Sequence, residues 1–128
     1  MGSRIKMEKE FEIKVEDLQT LSSGAKRDNA SGKGAFELVS TFALTRLAKV
    51  YEKGAIQKGY RNWEKGFNFS RATQSALRHI NQFIEGEKTE DHLAQACWNL
   101  FAIMHFQELI ERNILPKDLN DMPDYEKK

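Results

Sequence analysis

Little in this chain would break a helix or staple a loop. It has two prolines in 128 residues, Pro116 and Pro123, both close to the C-terminus, so nothing upstream removes a backbone donor from a helix. The single cysteine, Cys97, excludes an internal disulfide. Together with an N-terminal stretch lacking the apolar core of a signal peptide, this makes a reducing cytoplasm the expected compartment. No run approaches the ~18 apolar residues that a membrane span requires. A formal net charge of +1 argues against nucleic acid or an anionic membrane as a partner, so any anion site must be local. No Ser-His-Asp order, zinc-type spacing, P-loop or dinucleotide fingerprint is present.

What is present is an ordinary globular composition, 40% hydrophobic and 30% charged, at a length that suits one domain. Phe11 to Val15 alternates apolar and charged residues and is compatible with a short strand or an extended arm. Ser22 to Gly34 mixes three glycines with Lys26, Arg27, Asp28 and Lys33 and reads as a loop whose backbone donors can approach a phosphate. From there the pattern turns helical. Phe42, Leu44, Leu47, Ala48, Val50 and Tyr51 favour one stripe, and a first long helix is expected over about residues 38 to 56. Gly54, Gly59 and Gly66 interrupt a basic and aromatic stretch, Lys58 to Gly66, that reads as a structured loop.

A second helix is expected from Ser70, as N-cap, to about Glu85. Ala76, Leu77, Ile80, Phe83 and Ile84 lie on one side of it, and Ser75, Arg78, His79 and Gln82 on the other. Gly86 ends it, Thr89 is the expected N-cap of the next helix, and the short connection predicts an antiparallel hairpin. The third helix, about Glu90 to Arg112, is apolar nearly all round, which predicts burial on several sides. His92, Gln95 and Asn99 nevertheless share one of its faces. The fold expected is an all-α helical bundle with an irregular N-terminal arm: residues 1–21 as the arm, 22–115 as the helical domain, and 116–128 as a loose tail.

Three groups of residues have the chemistry for a site. The facing stripes of the hairpin bring Ser75, Arg78, His79 and Gln82 toward His92, Gln95 and Asn99, although such a stripe can also be a plain solvent face. Glu85, Glu87, Glu90 and Asp91 around the turn, with Glu52 on the first helix, are carboxylates of the kind that hold magnesium, and equally of the kind that cap helices. Lys26, Arg27 and Lys33 in one loop, and Lys58, Arg61 and Lys65 beside Tyr60 and Trp63 in another, supply the cations a triphosphate needs and the wall a purine needs. Cys97 and His105 read as packing residues.

Taken in order, Gly24-Ala25-Lys26-Arg27-Asp28, Leu47 to Ala55, Lys58-Gly59-Tyr60-Arg61-Asn62-Trp63-Glu64-Lys65-Gly66, Ser75-Ala76-Leu77-Arg78-His79, Glu85-Gly86-Glu87 and His92 to Asn99 resemble the phage dATP/dGTP diphosphohydrolase family over about residues 24 to 108. The resemblance implies a fold related to the MazG-like nucleotide pyrophosphohydrolases and a homodimer or homotetramer. It also implies hydrolysis of dGTP or dATP to the monophosphate with Mg2+ or Mn2+. On it, Arg27, Asp28 and Lys33 belong to an N-terminal substrate loop. Lys58, Arg61, Asn62, Trp63, Arg78 and Asn99 contact the nucleotide, and His79, Glu85 and His92 are catalytic. The chain departs from the MazG-like pattern at the EExxE and ExxD motifs, where Gln74, Ser75 and Arg78, then His92 and Gln95, stand instead. Either another donor set holds the metal, such as Glu52, Glu85, Asp91 and the histidines, or the chain is a helical module that binds nucleotides or proteins without cleaving.

Overall fold

The computed structural model describes residues 18–126. They fall into two compact units that meet in sequence between Val39 and Ser40. The expected strand or arm at Phe11 to Val15 lies outside the described residues.

The described part of the first unit is a hairpin. Strands β1 (Leu18–Thr20) and β2 (Lys26–Asp28) pair antiparallel with Leu18 opposite Asp28 and Thr20 opposite Lys26. A 3₁₀ turn follows at Phe36–Leu38. The predicted loop from Ser22 therefore contains a strand, and the expected boundary after residue 21 runs through the hairpin. The alternation there is too short to register as a strand in sequence.

The second unit is helical: α1 (Thr41–Lys58), a 3₁₀ turn (Asn62–Lys65), α2 (Phe69–Ile84), α3 (His92–Glu111) and a last 3₁₀ turn (Lys117–Leu119). The all-α expectation holds, and among the described residues no helix is long and apolar enough to cross a membrane. Three helix starts differ from those read in sequence. Ser40, not a residue near 38, caps α1 by accepting from the Ala43 amide at 3.1 Å. Asp91, not Thr89, caps α3 by accepting from the Ala94 amide at 3.2 Å.

The start of α2 is capped from a distance. Asn68 occupies the N-cap position without a side-chain hydrogen bond. Asp121 instead accepts from the Ser70 amide at 2.8 Å and from the Ser70 hydroxyl. Ser70 is thus a helix residue served by a carboxylate 51 positions away, which leaves the expected loose tail tied down through at least Asp121. Gly66 shows the same tie. At a φ of +93° its added Cβ would sit 2.9 Å from a Leu119 methyl, so a glycine is needed both for backbone conformation and for space.

Small residues on both helices, Ala72 and Ala76 on α2 and Ala94, Ala96 and Ala102 on α3, are buried, and side chains of this size let helices pack closely. The apolar core lies at the end away from the connecting turn. Phe69, Ala102 and Phe106 are buried there, with Trp63, Phe67, Ile110, Leu115 and Leu119 packed around them. Ile103 packs there as well, but many other large side chains of the pair do not join this core. Leu77, Ile80, Phe83 and Ile84 on α2, and Leu93, Leu100, Phe101 and Met104 on α3, are exposed. So is Cys97, which corrects its reading as a core residue. The burial expected on several sides of α3 does not extend to its outer stripe, and α2 is turned so that its larger apolar side faces outward.

Candidate functional site

The inward side of α2 is apolar where it carries Phe69, Ala72 and Ala76 and turns polar at His79, near the connecting turn. His79 and His92 are 8% and 3% exposed, face each other across the helix pair, and approach to 2.9 Å between their Nδ1 atoms. The Nε2 of His92 is hydrogen bonded to the Glu87 carboxylate. The network assigns the tautomers. With His92 donating its Nε2–H to Glu87, a neutral ring keeps its Nδ1 lone pair, and His79 supplies the shared proton. Burial pushes His79 below the ordinary imidazole pKa, against the opposing charge of Glu90. Hydrogen bonds from Thr89 and from His92 hold Glu87 down at about 2. A buried neutral imidazole such as His79 is a ready ligand or base.

Glu90 completes the group. Among the described residues, His79, Glu90 and His92 are the His/Cys/Asp/Glu set whose donor atoms converge, all within 4.8 Å of one another. Two imidazoles and one carboxylate do not suit magnesium, which takes a near-octahedral shell of oxygens. The magnesium expectation thus finds no matching donor set at this point.

A cavity of about 630 Å³ opens beside the pair. Tyr51, Trp63, Phe67 and Trp98 form its aromatic wall, with Phe67 and Trp98 stacked at 5.9 Å and Tyr51 edge-on to Trp63 at 5.5 Å. Burial raises the Tyr51 phenol pKa, so it stays neutral. Lys53, Lys58, Lys65 and Arg71 bring cations, and Asn62, Ser75, Gln95 and Asn99 bring neutral polar groups, with His79 and Glu90 in the same lining. A second cavity of about 500 Å³ at the turn is lined by His92, Glu87, Asp91, Arg46 and again Glu90. Such volumes suit a nucleotide-sized ligand held by a few convergent polar groups.

The sequence-predicted residues divide accordingly. His79, Asn99, Asn62, Trp63 and Lys58 line the larger cavity, and His92 borders it through His79. Arg61 lies outside the lining, paired with Glu64 at 2.8 Å and set over the Tyr60 ring. Arg78 is exposed and bonded to Ser75. Glu85 ends α2 and accepts from Asn81 at 3.1 Å, Glu52 is exposed on α1, and Asp91 is held by a two-pronged Arg46 contact, both at 2.7 Å. Glu52, Glu85 and Asp91 form no converging group. Their spacing suited helix ends as well as metal, and the ends took two of them. Arg27 and Asp28 lie in β2, and Lys33 in the loop after it, all exposed in the first unit.

The reading of the sequence passed over Lys53, Gln57 and Arg71 as site residues. A signal for the first two existed: Val50, Lys53 and Gln57 recur at helical spacing on the α1 face that lines the cavity.

The family model described as dATP/dGTP diphosphohydrolase, N-terminal, matches residues 23–113. The chain belongs to this family. No curated protein and no solved structure matches it. The part covered by the dATP/dGTP diphosphohydrolase model takes in β2 and all three helices, hence both cavities and the histidine pair. It stops short of Asp121, so the tail that caps α2 lies beyond the matched part. The family's name gives the coarse chemistry, hydrolysis of a phosphoric anhydride in a purine deoxynucleotide.

Proposed function

We propose that the chain hydrolyses a purine deoxynucleoside triphosphate, dGTP or dATP, to its monophosphate in the larger cavity. One observation carries this reading: the cavity places an aromatic wall, a set of cations and a buried imidazole within one nucleotide-sized space. The base lies against Tyr51, Trp63 and Trp98, where stacking supplies affinity and Asn62 or Asn99 can read ring edges. Lys53, Lys58, Lys65 and Arg71 neutralise the phosphates, Arg71 in two-pronged fashion. His79, neutral because it is buried, takes a proton from the attacking water, and Glu90 steadies the imidazolium that forms. A divalent ion, magnesium or manganese, enters with the triphosphate and lowers the charge the site must stabilise.

The chain also pairs with itself on this reading. Leu77, Ile80 and Ile84 on α2, and Leu93, Cys97, Leu100 and Met104 on α3, recur at steps of three and four and are exposed. Such seams bury themselves against matching helices, and a two-fold pair of identical chains brings like seams together. Packing of a MazG-like kind, as a homodimer or homotetramer, follows.

Incubation of the protein with each (d)NTP and magnesium or manganese, with products separated by chromatography, tests the activity. Monophosphate from dGTP or dATP, lost in His79→Gln and weakened in Arg71→Ala, is expected. Intact triphosphate throughout, with tight nucleotide binding, would mean a binding module instead.

A further inference from the structure

We propose that His79, His92 and Glu90 form a binding site for a first-row transition-metal ion, with Glu87 as the outer carboxylate that orients His92. The site shares the cavity of the proposed hydrolase and deepens that reading, with His79 and Glu90 serving as ligands rather than as base and counter-charge whenever the ion is bound, but capture of the metal stands on the donor set alone.

The donor geometry is the first argument. With metal–imidazole bonds of about 2.1 Å, two nitrogens at adjacent positions of an octahedral ion lie about 3.0 Å apart. The two Nδ1 atoms stand at 2.9 Å, the separation two adjacent ligands need, and because the rings meet head-on, with centroids 5.2 Å apart, each imidazole turns toward the ion as it displaces the shared proton. Glu90, exposed and at the rim of both cavities, can close on the ion from the solvent side. The remaining positions are left to water or to a phosphate oxygen.

The second argument is the environment of His92. Ligating histidines donate their other ring N–H to a carboxylate or carbonyl, which fixes the tautomer and raises basicity. Glu87 already holds this place on Nε2 and is itself held by the Thr89 amide at 2.7 Å. The Nδ1 of His92 is thereby committed as a lone pair facing His79.

The third is selectivity. Two imidazoles and a carboxylate favour zinc, cobalt, nickel, iron or manganese over magnesium, because imidazole is a softer ligand than water or carboxylate and magnesium gives up its water reluctantly. The carboxylate pattern usual for MazG-like enzymes is replaced here by His92 and Gln95, and on this reading the change alters the metal rather than abolishing it.

The test is a titration of the metal-stripped full chain with Co2+, followed by its visible absorption. One equivalent should bind with ligand-field bands, Zn2+ should displace it stoichiometrically, and roughly a thousandfold excess of Mg2+ should not. Glu87→Gln should weaken Co2+ binding about 10- to 100-fold, as loss of an orienting partner does. His92→Gln and Glu90→Gln should weaken it at least as much. If His92→Gln misfolds by circular dichroism, Glu90→Gln decides, since that side chain is exposed. Absent bands, unchanged affinity in Glu90→Gln, or displacement by Mg2+ at similar concentration would overturn the proposal. Hydrolysis is scored separately: metal capture without turnover leaves this site standing and removes the hydrolase reading, and turnover without Co2+ capture does the reverse.

Discussion

At the open end of the α2–α3 pair, Phe69 and Phe106 are buried against Trp63, Phe67, Leu115 and Leu119. At the turn end, the same two helices meet through His79, His92 and Asn99, with Glu87, Glu90 and Asp91 around them. The first end is held by dispersion and apolar burial, which need no particular charge state. The second is held by directional bonds among titratable groups, each dependent on the protonation of its neighbour. The division teaches that this small unit keeps its stability at one end and its reactive chemistry at the other, so that a polar interior does not weaken the part that folds it.

Predictions follow from that contrast. Phe106→Ala strikes the apolar end and should cost about 3–5 kcal/mol in urea unfolding, because its ring is fully enclosed and the neighbours cannot collapse into the space. Gly66→Ala adds left-handed backbone strain and a clash with Leu119, and should cost about 1–3 kcal/mol. A loss no larger than backbone strain alone, about 1 kcal/mol, would show that the tail moves aside for the added methyl.

The turn end should be the source of acid sensitivity. The folded value of His79 lies below its unfolded one, so its contribution to stability is fully present above the unfolded value of about 6.5 and is lost as pH falls through the lower folded value. Glu87, at about 2 against an ordinary 4.5, extends the same loss below pH 4.5. Melting temperatures measured from pH 7.5 to 4 should therefore fall in the native chain and fall less in His79→Gln, while a Phe106→Leu variant should keep the native slope. An equal slope in all three would place the acid-sensitive groups elsewhere.

The smallest effect is expected at Arg46. Its two-pronged contact joins α1 to the cap of α3, but the Arg46 side chain is 55% exposed, and exposed ion pairs contribute about 0.2–1 kcal/mol. Arg46→Ala should shift unfolding by no more than this. A larger loss would show that α1 depends on this contact, since Leu47 is the buried residue of that helix.

Much of the architecture is legible in sequence. The Gly86 stop, the short turn and the polar stripe on each flanking helix are sufficient to expect a hairpin with His79 facing His92, and these are the two side chains that meet. The helix starts are less legible because the caps compete: Thr89 and Asp91 are both good N-caps, and the one that also reaches Arg46 prevails. Arg61 and Arg78 are indistinguishable from Arg71 by residue type, yet of the three Arg71 lines the cavity, while Arg61 is paired with Glu64 and Arg78, although bonded to the lining residue Ser75, lies outside it.

The sequence by itself determined that the chain is helical, that α2 and α3 fold back on each other, and that histidines and carboxylates gather near their turn. All of this depends on spacing along the chain, which periodicity and capping chemistry record. Only the tertiary structure decided which carboxylate stands with the histidines, that Asp121 returns to cap α2, and that the larger apolar stripes of both helices face outward. Those outcomes depend on how each helix is rotated about its own axis. Rotation is set by the small residues at the α2–α3 contact and the aromatic side chains around Phe106, which belong to segments far apart in the chain.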